Sequence, residues 1–175
     1  LYALDVETGT EKWMFKTGGA VVSSGTVTDG KFYFGSLDNS IYALNAENGI
    51  VLWEYETDGQ IYSSPLVVDD VLYIGSLDNH LYALSTLRGE LVWQFDTDGQ
   101  VWSSPAFSDG IIVIGSRSGK IMGIDSLTGA EIWHIQTEKP IDATPAILDG
   151  IIYIGGRDGI FRAITLADGN VVWEH

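Results

Sequence analysis

The sequence repeats itself every 40 residues, and this period constrains the fold more than any other feature. Tryptophan recurs five times at that spacing, and a glycine stands four residues before each tryptophan. A fixed period of this length is typical of architectures that stack one small supersecondary unit many times. The five tryptophans are Trp13, Trp53, Trp93, Trp133 and Trp173.

One period contains four short segments that are rich in β-branched and aromatic residues, which predicts four strands per repeat. Dipeptides suited to tight hairpins separate the first two segments of each repeat. No segment shows a helical period, so we expect almost no helix. In the second full repeat the predicted strands are Ile61–Val68, Val71–Ser76, His80–Leu84 and Leu91–Asp96. The hairpin dipeptides are Asp29-Gly30, Asp69-Asp70, Asp109-Gly110 and Asp149-Gly150.

These features predict an all-β fold, namely a β-propeller of four-stranded antiparallel blades. A β-sandwich is the alternative, although it would not require tryptophans at constant spacing. The repeat places a half blade at residues 1–18 and blades at 19–58, 59–98, 99–138 and 139–175, about four and a half blades in all. We expect such an arc to be either a piece of a longer chain or part of a ring closed by self-association, because open arcs expose apolar faces and sheet edges.

Composition excludes several classes of partner and of site. The chain has 24 acidic and 9 basic residues and a net charge of −15, so we expect no binding to nucleic acid. Its apolar runs are too short to cross a bilayer as a helix, so we expect no membrane insertion. It has no cysteine, which excludes disulfides, thiolate metal sites and cysteine nucleophiles.

The segment Ala3–Trp13 reads Ala-x-Asp-x-x-Thr-Gly-x-x-x-Trp, and degraded copies follow in every later repeat. This pattern resembles the tryptophan docking motif of the PQQ-like (quinoprotein-type) β-propeller family, and the resemblance covers all 175 residues. It implies that the five tryptophans pack against adjacent blades, and it suggests an extracytoplasmic location. That family includes quinone-dependent dehydrogenases, the propeller lipoprotein of the outer-membrane β-barrel assembly machinery, and sensor domains attached to kinases.

The residues argue against the dehydrogenase chemistry of that family. Such enzymes carry a vicinal cysteine pair and a Ca²⁺ site of carboxylates and amides, whereas this chain has no cysteine and Asp142 is the one carboxylate at an inner-strand position. The three histidines lie in different repeats without metal-ligand spacing. We therefore expect no PQQ, calcium or other cofactor, and we predict a non-catalytic binding or scaffold module. Part of a PQQ-dependent dehydrogenase and a ligand-sensing domain of a receptor or kinase are the alternatives.

Positions that vary against the constant repeat are the candidates for a binding site. In the inner strand, Tyr62, Trp102 and Asp142 alternate with constant apolar residues, so we expect them to face the central funnel. The alternative is that the two aromatic residues pack between blades. The loops of one rim carry most of the remaining candidates, although ordinary solvated turns would also be polar. The predicted site for a protein or peptide partner consists of Tyr62, Trp102, Asp142, His80, Arg117, Lys120, Lys139 and Arg157.

Overall fold

The computed structural model describes all residues from 1 to 175 and contains strands, turns and bends but no helix. The strands form one two-stranded sheet and four four-stranded sheets, and consecutive strands are neighbours in every sheet. All pairs of neighbouring strands are antiparallel. The predicted all-β propeller architecture of about four and a half blades is therefore confirmed.

The half blade contains strands β1 (Tyr2–Leu4) and β2 (Glu11–Met14). Blade 1 contains β3 (Thr26–Thr28), β4 (Lys31–Gly35), β5 (Ser40–Asn45) and β6 (Val51–Glu56). Blade 2 contains β7 (Leu66–Val68), β8 (Val71–Gly75), β9 (His80–Ser85) and β10 (Leu91–Asp96). Blade 3 contains β11 (Ala106–Ser108), β12 (Ile111–Gly115), β13 (Lys120–Asp125) and β14 (Glu131–Gln136). Blade 4 contains β15 (Ala146–Leu148), β16 (Ile151–Gly155), β17 (Phe161–Thr165) and β18 (Val171–Glu174).

The first strand of each blade is shorter than the sequence predicts. Strand β7 begins at Leu66, so the predicted strand Ile61–Val68 is wrong over its first five residues. Pro65 has no backbone N–H to donate to a sheet, which favours a strand beginning after it. The backbone of the preceding segment bonds elsewhere, since the amide of Ile61 donates to Ser36 of blade 1 at 3.1 Å. The inner edge of each blade is thus an irregular extended segment followed by a three-residue strand.

The hydrophobic core lies in layers between adjacent blades. The layer between blades 1 and 2 combines Tyr33 and Trp53 of one sheet with Leu72, Ile74 and Leu84 of the next. Equivalent layers join blades 2 and 3, blades 3 and 4, and the half blade and blade 1. Blades 1, 2 and 3 each bury both faces in this way, which explains why their central strands are apolar without alternation. The structure contains no helix with the length and apolar character needed to span a bilayer.

The tryptophans occupy the outer part of these layers. The indole of Trp53 is 7% exposed and that of Trp133 is 8% exposed, and each donates a hydrogen bond to a carbonyl of the following blade. A β-bulge in the pairing of the third and fourth strands occurs in the half blade and in all four blades. A bulge bends the strand locally, and here it lies next to the position that carries the tryptophan.

A chain of hydrogen bonds links the inner segments of successive blades. The amide of Ser24 donates to the hydroxyl of Ser64 at 2.9 Å, and the amide of Ser64 donates to the hydroxyl of Ser104 at 2.9 Å. The amide of Ser104 donates in turn to the hydroxyl of Thr144 at 3.3 Å. Because each bond joins residues 40 apart, equivalent positions of adjacent blades lie side by side at the inner edge.

Candidate functional site

The predicted site residues lie on one rim, which is formed by the loops between second and third strands and by the connections between blades. Backbone hydrogen bonds join these two sets of loops. The amide of Arg117 donates to the carbonyl of Gln100 at 2.9 Å, and the amide of Arg157 donates to the carbonyl of Pro140 at 3.0 Å. The hydroxyl oxygen of Thr137 lies 2.7 and 2.8 Å from the carbonyl oxygens of Gly119 and Lys139, to either of which it can donate. The backbone of the rim is therefore held by hydrogen bonds between loops, while the side chains that it carries differ from blade to blade.

Two aromatic side chains from neighbouring blades stack on this rim. The rings of Tyr62 and Trp102 have centroids 4.3 Å apart and are inclined by 19°. They meet because they are equivalent residues of adjacent blades, 40 positions apart. Their neighbours Ile61 and Val101 are fully buried, whereas both rings stay partly exposed. The alternation predicted from the sequence is present, and the rings also contact each other across the gap between blades.

Arg117 continues the stack and connects it to Asp142. Its guanidinium carbon lies 4.1 Å from the centroid of the Trp102 ring, a distance at which a cation and the face of an indole attract each other. The same guanidinium donates from Nε and Nη2 to the two carboxylate oxygens of Asp142, at 3.0 and 3.3 Å. This is a bidentate pair, which fixes the orientation of both side chains.

Asp142 also binds a second arginine. Nε of Arg157 donates to Oδ2 of Asp142 at 2.5 Å, and the Arg157 side chain remains 58% exposed. Burial acts to raise the pKa of Asp142, but the hydrogen bonds and positive charges of Arg117 and Arg157 outweigh it and hold that pKa below its usual value. The carboxylate in turn raises the pKa of Arg117. One carboxylate shared by two guanidinium groups leaves a net positive charge on this part of an acidic protein.

We name this continuous set of contacts the rim cluster. It brings together five of the eight predicted residues across three blades, namely Tyr62, Trp102, Arg117, Asp142 and Arg157.

The other three predicted residues lie outside the rim cluster. Lys120 forms an ion pair with Asp98, which raises the pKa of the lysine. Nδ1 of His80 lies 3.4 Å from a carboxylate oxygen of Asp78 in its own loop. Lys139 is exposed and forms no ion pair. None of these three side chains forms an aromatic or cation–π contact with the stacked rings.

The indole nitrogen of Trp102 is the one buried side-chain polar atom without a hydrogen-bond partner. An unpaired buried donor costs free energy, of the order of 1–3 kcal/mol. The four tryptophans that dock between blades all donate to a backbone carbonyl. Trp102 therefore contributes its π-surface to the rim cluster at a cost that the docking tryptophans do not have.

Sequence reasoning missed a buried ion pair next to the rim in blade 4. Arg162 is 5% exposed, and its Nη2 donates to Oδ2 of Asp158 at 2.6 Å while its Nε donates to Glu174 at 2.9 Å. The equivalent positions in blades 1 and 2 are Tyr42 and Tyr82, whose hydroxyls donate to the equivalent loop aspartates of their own blades, Asp38 and Asp78. The sequence signal for this ion pair was an arginine at a repeat position that holds tyrosine or methionine in the other blades.

The carboxylates at the rim do not fit a calcium site. No three His, Asp or Glu side chains lie close enough together to hold a metal ion. Asp142, the inner carboxylate singled out from the sequence, already has two arginines on its oxygens. A hard cation needs several oxygen ligands free of such partners.

Comparison with known proteins places this geometry in context. The family model described as "Outer membrane protein assembly factor BamB" matches residues 1–104 and 88–175, which together span the chain. No curated protein matches the chain significantly.

Solved structures that share the fold include the following three. BamB from Moraxella catarrhalis is 20% identical with a TM-score of 0.74, and the match covers 95% of this chain and 65% of that one. The quinohemoprotein alcohol dehydrogenase ADHIIG from Pseudomonas putida HK5 is 19% identical with a TM-score of 0.80, covering 92% of this chain and 34% of that one. The computationally designed Ika4 protein is 18% identical with a TM-score of 0.79, covering 91% and 99%. The chain thus spans less than two thirds of the BamB structure, and at these identities the likeness concerns the fold.

Proposed function

The chain belongs to the family described as outer membrane protein assembly factor BamB, and from that premise we propose that it is a non-catalytic module whose rim binds a protein or peptide partner. The family description also supports a location outside the cytoplasm. The observation that carries the proposal is the rim cluster, in which stacked aromatic rings and two arginines from three blades are held together by one carboxylate.

The chemistry of the rim cluster suits a polypeptide. Tryptophan, tyrosine and arginine are the residues most enriched at the energetic centres of protein interfaces. The guanidinium group of Arg157 bonds within the chain only through Nε, so its four remaining N–H groups are free to meet carbonyl or carboxylate oxygens. Its side chain is more than half exposed, and the exposed Lys139 lies on the neighbouring connection.

The unpaired nitrogen of Trp102 supports a functional role over a purely structural one. A phenylalanine would offer an apolar ring without a buried donor that lacks a partner. Departures from such local rules concentrate at functional sites. A ring that stacks on Tyr62 and carries Arg117 is therefore better explained by what the rim presents than by packing between blades.

The test is a selection of random peptides displayed on phage against the immobilised 175-residue chain, followed by calorimetry with the enriched peptides. We expect Arg157→Ala to weaken binding at least about 10-fold, because it removes an exposed interface arginine. Arg88→Ala is the matched control, since Arg88 is 71% exposed and forms only a long contact of 3.8 Å with Glu90 in a loop between third and fourth strands. It should bind as the wild type does.

Two results would contradict the proposal. One is the absence of any enriched peptide whose affinity depends on Arg157. The other is reduction of a dye by the chain after addition of PQQ and Ca²⁺, which would favour the dehydrogenase alternative.

A further inference from the structure

In blade 4, Arg157 is carried by a tight turn, residues 156–160, that connects β16 to β17. The amide of Gly156 donates to the carbonyl of Ile160 at 3.0 Å and so closes the turn. Inside it, Oδ1 of Asp158 accepts from the amide of Ile160, also at 3.0 Å. One oxygen of the Asp158 carboxylate therefore shapes the turn, and the other oxygen is available to attach it to the rest of the blade.

Arg162 makes that attachment. Its Nη2 donates to Oδ2 of Asp158 at 2.6 Å, and both side chains are only 6% exposed. Nε of Arg162 donates to Glu174 on the neighbouring strand β18 at 2.9 Å, which orients the guanidinium group. The hydrogen bond between them raises the pKa of Arg162 and lowers that of Asp158, so both groups are charged at neutral pH. No other group outside the turn bonds the Asp158 carboxylate.

The other blades show that this position of the third strand serves the carboxylate of the loop. In blades 1 and 2, a tyrosine hydroxyl donates to the loop aspartate at 3.0 and 2.9 Å. In blade 3, the loop has a serine in place of the aspartate and the third strand has a methionine, which has no donor. Donor and carboxylate are thus present together or absent together. The pairs are Tyr42 with Asp38, Tyr82 with Asp78, Met122 with Ser118, and Arg162 with Asp158.

Blade 4 depends more on this third-strand residue than blades 1 and 2 do. There the loop carboxylate also accepts from an amide of the preceding connection. The amide of Gly18 donates to Asp38 at 2.8 Å, and the amide of Asp58 donates to Asp78 at 3.1 Å. The Asp158 carboxylate has no such bond. In blade 4, Arg162 therefore performs alone a task that is shared in the other two blades.

The position of the turn matters because Arg157 lies within it. Nε of Arg157 donates to Oδ2 of Asp142 at 2.5 Å, which joins the turn to the rim cluster. A β-carbon added to Gly156 would lie 2.6 Å from Oδ1 of Asp158, so this carboxylate packs tightly against the start of the turn. It contacts the turn both before and after Arg157 in the chain. A movement of Asp158 would therefore move Arg157 relative to Asp142.

We propose that Arg162 is a positioning residue for the rim cluster: by holding the Asp158 carboxylate, it fixes the turn that places Arg157 on Asp142. The consequence for binding rests on the proposed function, in which Arg157 meets the partner. Arg162 is itself 5% exposed, so it acts through Arg157 and not by touching the partner. Buried ion pairs add little net stability compared with well-packed apolar residues, so this pair is better explained by the geometry that it imposes.

The test replaces Arg162 with two side chains that differ by one hydroxyl group. Arg162→Tyr supplies the donor used in blades 1 and 2, whereas Arg162→Phe has a similar ring without a donor. The first readout is the pKa of Asp142, measured from the carbon NMR shift of its carboxyl group as the pH changes. Arg117 and Arg157 hold this pKa below 3.8. We expect Arg162→Phe to raise it toward 3.8 and Arg162→Tyr to keep it low.

The second readout is the affinity for a phage-selected peptide whose binding depends on Arg157. Arg162→Phe should weaken this binding by about 3- to 10-fold, because a side chain that is no longer held must be ordered when the peptide binds. Arg162→Tyr should restore the affinity. A role in packing alone would affect the two variants alike.

Tyr82→Phe is the matched control. It removes the same hydroxyl from blade 2, whose loop between second and third strands carries no residue of the rim cluster, and it should leave the pKa of Asp142 unchanged. If Arg162→Phe fails to fold because a buried carboxylate has lost its partner, the double variant Arg162→Phe with Asp158→Asn takes its place. That variant leaves no unpaired charge and should show the same two effects.

The proposal is overturned if the Phe and Tyr variants have the same pKa at Asp142, or if they bind the peptide equally well. Failure to select any peptide that depends on Arg157 would contradict the proposed function. The NMR comparison would then still decide whether Arg162 positions Arg157.

Discussion

Two kinds of contact join successive blades: docking stations, in which a tryptophan of one blade packs on a glycine turn of the next, and the rim cluster. Both use positions that recur every 40 residues, but the residues at those positions are constant in the stations and variable on the rim. In the stations, a tryptophan, a glycine and a backbone carbonyl recur with nearly the same geometry four times. On the rim, the inner position changes from Val22 to Tyr62, Trp102 and Asp142. The stations therefore hold the blades together, and the rim is where a blade can change without losing its neighbours.

The stations tolerate less variation than the rim because their hydrogen bonds between blades come from a side chain, whereas those of the rim come mainly from the backbone. The stations use an indole and a glycine, and a β-carbon added to that glycine would lie 2.7 Å from the indole. The rim is held mainly by backbone groups, such as the amide of Val101 bonded to the carbonyl of Ser76 at 3.0 Å. Backbone bonds do not depend on the side chain, so rim side chains are free to form the contacts among Trp102, Arg117 and Asp142.

The largest effect should come from breaking a docking station. Trp133→Ala removes a side chain that is 8% exposed together with its 2.8 Å hydrogen bond to Leu166, and it should lower the free energy of unfolding by about 3–5 kcal/mol. Trp173→Ala removes a side chain that is 44% exposed in the 175-residue chain, so the same substitution should cost less there, about 1 kcal/mol or below. Urea unfolding measures both losses. Equal losses would show that stations do not hold the blades together.

Much of the fold could be predicted because the same 40-residue pattern is repeated in every blade, so that evidence for one blade supports all of them. The spacing of Trp53 and Trp93 indicates a unit of 40 residues, and alternation and turn residues place the strands within it. The extent of the first strand could not be predicted in this way. The stretch from Ile61 to Pro65 has strand composition, but its hydrogen bonds go to the neighbouring blade, a tertiary contact that local sequence does not show.

The site was predictable only as a set of residue types. Variation against the repeat singled out Tyr62, Trp102 and Asp142, and loop charges singled out the arginines. That Arg117 and Arg157 share one carboxylate depends on two loops and an inner segment meeting at the rim. Loop charge also pointed to Lys120, which forms an ion pair with Asp98 instead. To predict which residues belong to the rim cluster, one must therefore know how the blades are placed relative to each other.

An intermediate effect should come from filling a station with one methyl group. In Gly89→Ala, the alanine backbone would have to adopt φ of +70°, and its β-carbon would lie 2.7 Å from the Trp53 ring. Strain and overpacking together should cost about 2–4 kcal/mol in the free energy of unfolding.

Gly30→Ala is the matched control for that substitution. Gly30 has φ of +71° but nothing within 4 Å of its added β-carbon, so it should show the strain alone, about 1 kcal/mol. Urea unfolding of the two variants in parallel separates the two contributions. Identical losses would mean that the indole moves aside without cost, and would remove the packing argument for glycine at the stations.

The smallest effect should be found on the rim, and it should depend on pH. Because Arg117 and Arg157 outweigh burial and lower the pKa of Asp142, its ionised form stabilises the folded state. That contribution is complete above the ordinary pKa of 3.8 and disappears as the pH falls through the lower pKa of the folded state. Asp142→Asn should therefore cost about 1 kcal/mol near pH 7 and almost nothing near pH 2.

Asp149→Asn separates this effect from the general consequence of removing a negative charge. Asp149 is an exposed hairpin residue without an ion pair, and asparagine tolerates its positive φ of 51°. Its loss should be small and should not follow the pattern of Asp142→Asn between pH 2 and pH 7. If the two variants showed the same pH dependence, the rim ion pairs would be no more than exposed surface contacts. A difference confined to Asp142→Asn would show that blades can carry specific contacts at the rim while the stations keep them in place.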